Sequence, residues 1–123
     1  MRQFGELEAV IMDRLWEWGR PALVREMVDD LHRDRPLAYT TVMTVMENLY
    51  RKGWLSRAKN GRAYWYEPVR SRDDYVTQLL NEALSVAPDP AATLVRLVGG
   101  MDPGEIASLR AALDAATSKE TPH

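Results

Sequence analysis

The stretch "GWLSRAKNGRAYWYEP", residues 53 to 68, narrows the folds open to this chain more than any other. Upstream of it, apolar residues recur at helical spacing; within it they alternate with polar ones, the pattern of strands. Asn60-Gly61 lies at its centre, and Asn-Gly is the pair best suited to a two-residue type I′ turn. The pattern predicts a β-hairpin with Lys59 opposite Arg62, Arg57 opposite Tyr64, Ser56 opposite Trp65 and Leu55 opposite Tyr66. Leu55 and Tyr66 then share one face and can close over the helices that precede them.

Three helical segments do precede them. Residues 6 to 18 place Leu7, Val10, Ile11, Leu15 and Trp18 at helical spacing, with Glu6 and Glu8 near the positive helix start. Gly19 and Pro21 interrupt. Val24, Met27, Val28 and Leu31 mark a second helix, ended by "RDRP" because the residue before Pro36 disfavours helical geometry. A third helix over 39–52 has Val42, Val45, Met46 and Leu49 on one face and closes at Gly53. Helix, helix, helix, basic-tipped hairpin is the order of a winged helix-turn-helix. The expected fold is mainly α with a small β-hairpin wing.

Beyond Pro68 the helix-start chemistry repeats. Ser71 with Asp74 forms a capping box, Asp89-Pro90 and Asp102-Pro103 pair an aspartate cap with proline at the first helical position, and Glu105 completes a second box. The expected division is a winged-helix domain over residues 1–70, a three-helix lobe over 71–117 and a frayed end over 118–123. Helices this short cannot bury their own apolar faces. A second copy of the lobe is the expected cover, with Leu79, Leu80, Leu84, Leu94, Leu97, Ile106, Leu109 and Leu113 as the dimerisation set.

Charge is divided in the same way. Residues 35–70 carry seven basic and two acidic side chains, while 71–123 carry four basic and eight acidic, although the whole chain is close to neutral at −2. A basic working surface implies a polyanionic partner. On the helical wheel of 39–52, Thr40, Thr44, Glu47, Asn48 and Arg51 oppose the apolar face, with Thr41 and Met43 beside them. Threonine is a mediocre helix former, but its hydroxyl can bond a base edge and its methyl can touch a thymine methyl. Thr40, Thr41, Met43 and Thr44 are therefore the expected base-proximal residues, and Arg51, Lys52, Arg57, Lys59 and Arg62 the expected phosphate contacts. The partner so implied is double-stranded DNA.

Other classes fare worse. With no cysteine, thiolate metal sites and thiol nucleophiles are excluded. His32 and His123 stand alone, there is no glycine-rich phosphate loop, and the carboxylates fall where helix capping explains them. Neither an enzyme, a metal site nor a cofactor is expected. No apolar stretch approaches membrane-spanning length, so the expected location is the cytoplasm, without membrane insertion. The competing reading is a winged helix that binds proteins and reads no DNA sequence.

The run "AYTTVMTVMENLYRKGWLSRAKNGRAYWYEPVRSRDDY" resembles the penicillinase-repressor family, the BlaI/MecI/CopY regulators, with its Y-T-T-V-x-T helix, L-x-x-K-G closure and G-R-A-Y-x-Y-x-P wing. The opening "GELEAVIMDRLWEWG" resembles the family's first helix. The resemblance implies a homodimeric bacterial transcriptional repressor on a palindromic operator with TACA/TGTA-like half-sites. It places Thr40, Thr41 and Thr44, with Met43, next to the bases. Copper-sensing relatives carry a cysteine cluster in the tail, which this chain lacks. In β-lactam-responsive relatives a membrane sensor-protease pathway leads to cleavage of an Asn-Phe bond in the fifth helix; here Leu97-Val98 stands at that place.

Overall fold

The computed structural model describes residues 4–119. Its elements run α1 (Glu6–Trp18), β1 (Ala22–Leu23), α2 (Val24–Leu31), α3 (Tyr39–Arg51), β2 (Leu55–Asn60), β3 (Ala63–Pro68), α4 (Arg72–Ser85), α5 (Pro90–Gly99) and α6 (Pro103–Lys119). This is the expected mainly α fold with a small winged sheet. The chain divides into two compact units, Met1–Leu80 and Asn81–His123, so the boundary falls inside α4. The helix α6 continues through Lys119, and the remainder of the expected frayed end lies outside the described residues.

The first unit has a true core. Ile11, Met12 and Leu15 of α1, Met27 and Leu31 of α2, and Val42, Met46 and Leu49 of α3 are all buried, under Trp54, Leu55 and Tyr66. Every helix therefore contributes the apolar stripe that its spacing requires. Met12 is the addition to the expected set: α1 lies against both α3 and β3, so its covered arc is wider than a single seam. The α3 helix ends in a Schellman pair. The amide of Trp54 donates to the carbonyl of Leu49 (3.0 Å), that of Gly53 donates to Tyr50 (3.1 Å), and Gly53 takes φ +85°. The ending turns the buried Trp54 directly into the sheet.

The sheet differs from expectation in two ways. It has three strands in the order β1-β3-β2, because Ala22 and Leu23 pair with Tyr66 and Trp65. Two residues are too few to show an alternation, and the pairing is entirely non-local. The hairpin register is also displaced by two residues. Lys59 faces Tyr64, Arg57 faces Tyr66 and Leu55 faces Pro68, so the loop is Gly61-Arg62 rather than Asn60-Gly61. A type I′ turn needs positive φ at both central residues; here Gly61 alone has it (+68°) and Asn60 stays in the strand, the pattern of a II′ turn led by glycine. Because side chains alternate with a period of two, this displacement leaves every face assignment intact.

The start of α4 is fastened to the first unit by aromatic packing. Tyr75 stacks on Phe4 at 4.0 Å between centroids, its hydroxyl accepts the Phe4 amide (2.8 Å), and both rings meet Trp54 edge-on. Trp16 donates through Nε1 to the carbonyl of Arg70 (2.9 Å), and Arg72 pairs with Asp13 (3.3 Å). The Ser71–Asp74 box forms reciprocally: the Asp74 amide donates to Ser71 Oγ at 3.0 Å and the Ser71 amide to Asp74 Oδ2 at 2.8 Å. The Ser71 amide, aided by the Ser71 hydroxyl, holds the Asp74 carboxyl below its ordinary range.

The second unit is built from caps without a core. The Ala92 amide donates to Asp89 (3.2 Å), and Asp102 and Glu105 exchange amide–carboxylate bonds of 2.8 and 3.0 Å, as their spacing predicts. Yet no described residue of α5 or α6 is buried, and Val95, Leu97 and Leu113 are 71%, 54% and 59% exposed.

Candidate nucleic-acid interface

The α3 helix presents its N-terminal half to solvent without a carboxylate. Ala38 caps the helix without a side-chain bond, the first turn holds no acidic residue, and Thr40, Thr41, Met43 and Thr44 are all exposed. The positive end of the helix dipole is thus left without a local counter-charge. The Thr44 hydroxyl donates back to the carbonyl of Thr40 at 2.8 Å. Its single proton is engaged, so Thr44 offers outward only oxygen lone pairs and a methyl group. Such a surface can accept from a base amino group and touch a thymine methyl, but it cannot donate to a guanine edge.

The five cations expected at phosphates fall into three groups. Lys52 is tied to Glu8 of α1 at 2.7 Å, and that same carboxylate accepts the Gly5 amide that opens α1 (2.8 Å). Arg51 pairs with Glu47 one turn back at 3.0 Å, on an open surface. Arg57 is enclosed: its guanidinium lies 4.2 Å from the Tyr50 ring and 4.3 Å from the Tyr64 ring, with Glu47 at 3.8 Å. A hydrogen bond with Tyr66, supported by Tyr64 and Tyr50, pushes its pKa up. Arg57 therefore clamps the wing onto the end of α3. Lys59 and Arg62 are exposed, and among the described residues neither enters an ion pair.

The wing is braced from behind as well. Glu26 accepts the Leu23 amide at 2.9 Å and pairs with Arg20 at 3.0 Å, which fixes β1 to the start of α2. The Leu23 amide holds the Glu26 carboxyl below its ordinary range. Since β1 pairs with β3, this corner also fixes the height of the wing. Sequence reasoning missed Arg25, which is exposed beside it with its guanidinium 5.4 Å from the Tyr39 ring. Its setting, "VREMVDDL", reads as an acidic helix, so nothing local marks it.

A family profile described as "Penicillinase repressor" matches residues 4–115. The chain belongs to that family. The transcriptional regulators BlaI of two Mycobacterium tuberculosis strains, CDC 1551 / Oshkosh and ATCC 25618 / H37Rv, are each 39% identical to it over 116 residues, spanning 92% of this chain and 84% of theirs. A solved structure of the DNA recognition and protein interaction domains of HOP2 overlaps 50% of this chain and 95% of its own at 20% identity and a TM-score of 0.47, too loose a likeness to bear on function. This member of the penicillinase-repressor family is accordingly a transcriptional regulator and not an enzyme. Among the described residues no group of acidic, histidine or cysteine side chains could hold a metal ion, and no helix is long and apolar enough to cross a membrane.

Proposed function

We propose that the chain is a homodimeric repressor that binds a palindromic operator with TACA/TGTA-like half-sites, inserting α3 into the major groove and laying the wing along the backbone. The observation that carries this reading is the exposed, carboxylate-free half of α3 bearing Thr40, Thr41, Met43 and Thr44. Threonine lone pairs and methyls with a methionine suit A·T-rich base edges. Lys59 and Arg62 on the wing neutralise phosphates, and Arg51 joins them by exchanging Glu47 for the backbone. Lys52 and Arg57 act by holding helix and wing in place.

The dimer is carried by the second unit with the end of α4. Leu80, Leu94, Leu97 and Leu113 are exposed, and Leu79, Leu84, Ile106 and Leu109 are half-buried, so the whole set is open to a second copy. The regulator works in the cytoplasm. Leu97-Val98 lies in the last turn of α5. Inactivation there through a membrane sensor-protease pathway needs a protease that reads an aliphatic pair.

The test is fluorescence anisotropy on a palindromic TACA/TGTA duplex and a scrambled duplex, titrated across salt. Selective binding with a steep salt slope and two protomers per duplex is expected. Failure on these duplexes and on operators selected from random DNA would favour the protein-binding winged helix.

A further inference from the structure

A cleft of about 260 Å³ opens between the starts of α2 and α3 and the wing. Arg25, Tyr39, Met43, Arg62 and Tyr64 line it, and no carboxylate does. Most other cations of the first unit are paired, Arg33, Lys59 and Arg70 excepted among the described residues. Arg14, Arg20, Arg35, Arg51, Lys52 and Arg72 each face an acidic partner. Arg25 and Arg62 line the cleft together, and among the described residues neither enters an ion pair. Two guanidinium groups on one concave surface repel unless an anion lies between them. The tyrosines limit where the cations can go, with Arg25 held over the Tyr39 ring.

We propose that this cleft seats one phosphodiester of the operator backbone, gripped by Arg25 from α2 and Arg62 from the wing. The inference rests on the DNA-binding reading above and deepens it. Guanidinium groups are suited to phosphate oxygens by their fork of donors, and two supplied by different elements fix the phosphate in position as well as in charge. Met43, in the base-proximal set, borders the same cleft. A phosphate held there sets how deeply α3 enters the groove and which base pair Met43 and Thr44 meet. The two arginines serve as a register stop that carries no sequence information of its own.

The full-length chain and its Arg25→Ala, Arg62→Ala, double and Arg25→Lys variants are titrated with the palindromic TACA/TGTA duplex and its scrambled counterpart across salt, after thermal melts show equal stability. Each alanine variant is expected to weaken binding to both duplexes by the same factor. In the double variant, which leaves the phosphate without a cation, the salt slope should fall by about 0.9 per cleft, hence by about 1.8 for a dimer. Because either arginine alone still neutralises the shared phosphate, each single alanine variant and Arg25→Lys should keep most of the slope. Scanning the duplex with neutral methylphosphonates should find one position per half-site that weakens the wild type and leaves the double variant unaffected. Binding by Arg25→Ala equal to the wild type, slope losses in the single variants that add up in the double one, or the lack of such a position would overturn the shared seat. Competition by inorganic phosphate at constant ionic strength would overturn the diester assignment in favour of a free anion. A wild type that binds neither these duplexes nor selected DNA would instead overturn the DNA-binding reading, a result distinct from a wild type that binds while Arg25→Ala matches it.

Discussion

The two compact units use the same helix-start chemistry to opposite ends. In the first, caps and Schellman pair deliver helices whose apolar stripes meet, and Ile11, Leu15, Met46 and Leu49 lose all contact with solvent. In the second, the caps at Asp89 and Asp102 are as well formed, yet Val95, Leu97 and Leu113 stay open. Local signals can make a helix; they cannot make a core. At about 25 cal/mol per Å² of apolar surface buried, the first unit is stabilised from within, whereas the second has its stabilising surface still to bury. On the proposed dimer, stability in the first unit is a property of one chain, and in the second it depends on concentration.

Substitutions in the two units should therefore fail in different ways. Leu113→Asp is expected to have the largest effect, because it places an unpaired charge in the surface that the proposed dimer buries. The dimer should weaken by roughly 3–5 kcal/mol. Sedimentation should show monomers at concentrations where the wild type is dimeric, and a variant that stays dimeric would move the interface off α6. Leu49→Ala in the first unit should cost about 2–5 kcal/mol through lost burial and the cavity left under Trp54. Its denaturation midpoint should fall by the same amount at every protein concentration. A concentration-dependent loss would show that the two units do not differ as described.

Legibility in the sequence follows the same line between local and non-local physics. Capping boxes at Ser71 and Asp102, the closing glycine at Gly53 and the buried face of α3 all depend on residues three to five positions apart, and each formed where its spacing put it. The hairpin was legible as a hairpin, but its register was not. Asn60-Gly61 and Gly61-Arg62 are neighbouring solutions, and strand β1, invisible locally, adds pairing to β3 that bears on the outcome. Charges were legible as counts only. That Lys52 serves Glu8, 44 residues away, or that Arg57 is enclosed by three tyrosines, depends on tertiary placement. Arg25 is the converse case, an unneutralised cation disguised by acidic neighbours in sequence.

Thr44→Val tests whether the face opposite the core does chemistry. Valine keeps the methyl group and puts a second methyl in place of the hydroxyl, so a base contact through the lone pairs should be lost at a cost of about 1 kcal/mol on the operator and nothing on scrambled DNA. Anisotropy on both duplexes measures the difference. Equal losses on the two would reduce Thr44 to a helix surface residue, and the two faces of α3 would then differ only in burial.

The smallest expected effect lies at the rim of the first unit, where core packing gives way to electrostatics. Glu26 accepts the Leu23 amide and pairs with Arg20, and its carboxyl is held below the ordinary value of 4.5. A carboxylate with a lowered folded pKa stabilises the native state fully above its unfolded pKa, and that contribution disappears as pH falls through the lowered value. Glu26 is half-exposed, so the contribution should be about 0.5 kcal/mol. Glu26→Gln should be less stable than the wild type at neutral pH and should converge with it in acid, below the ordinary carboxyl range. Urea denaturation at a series of pH values gives both curves. A gap that persists unchanged into acid would mean that Glu26 holds β1 against α2 by packing, and that the wing is set by shape alone.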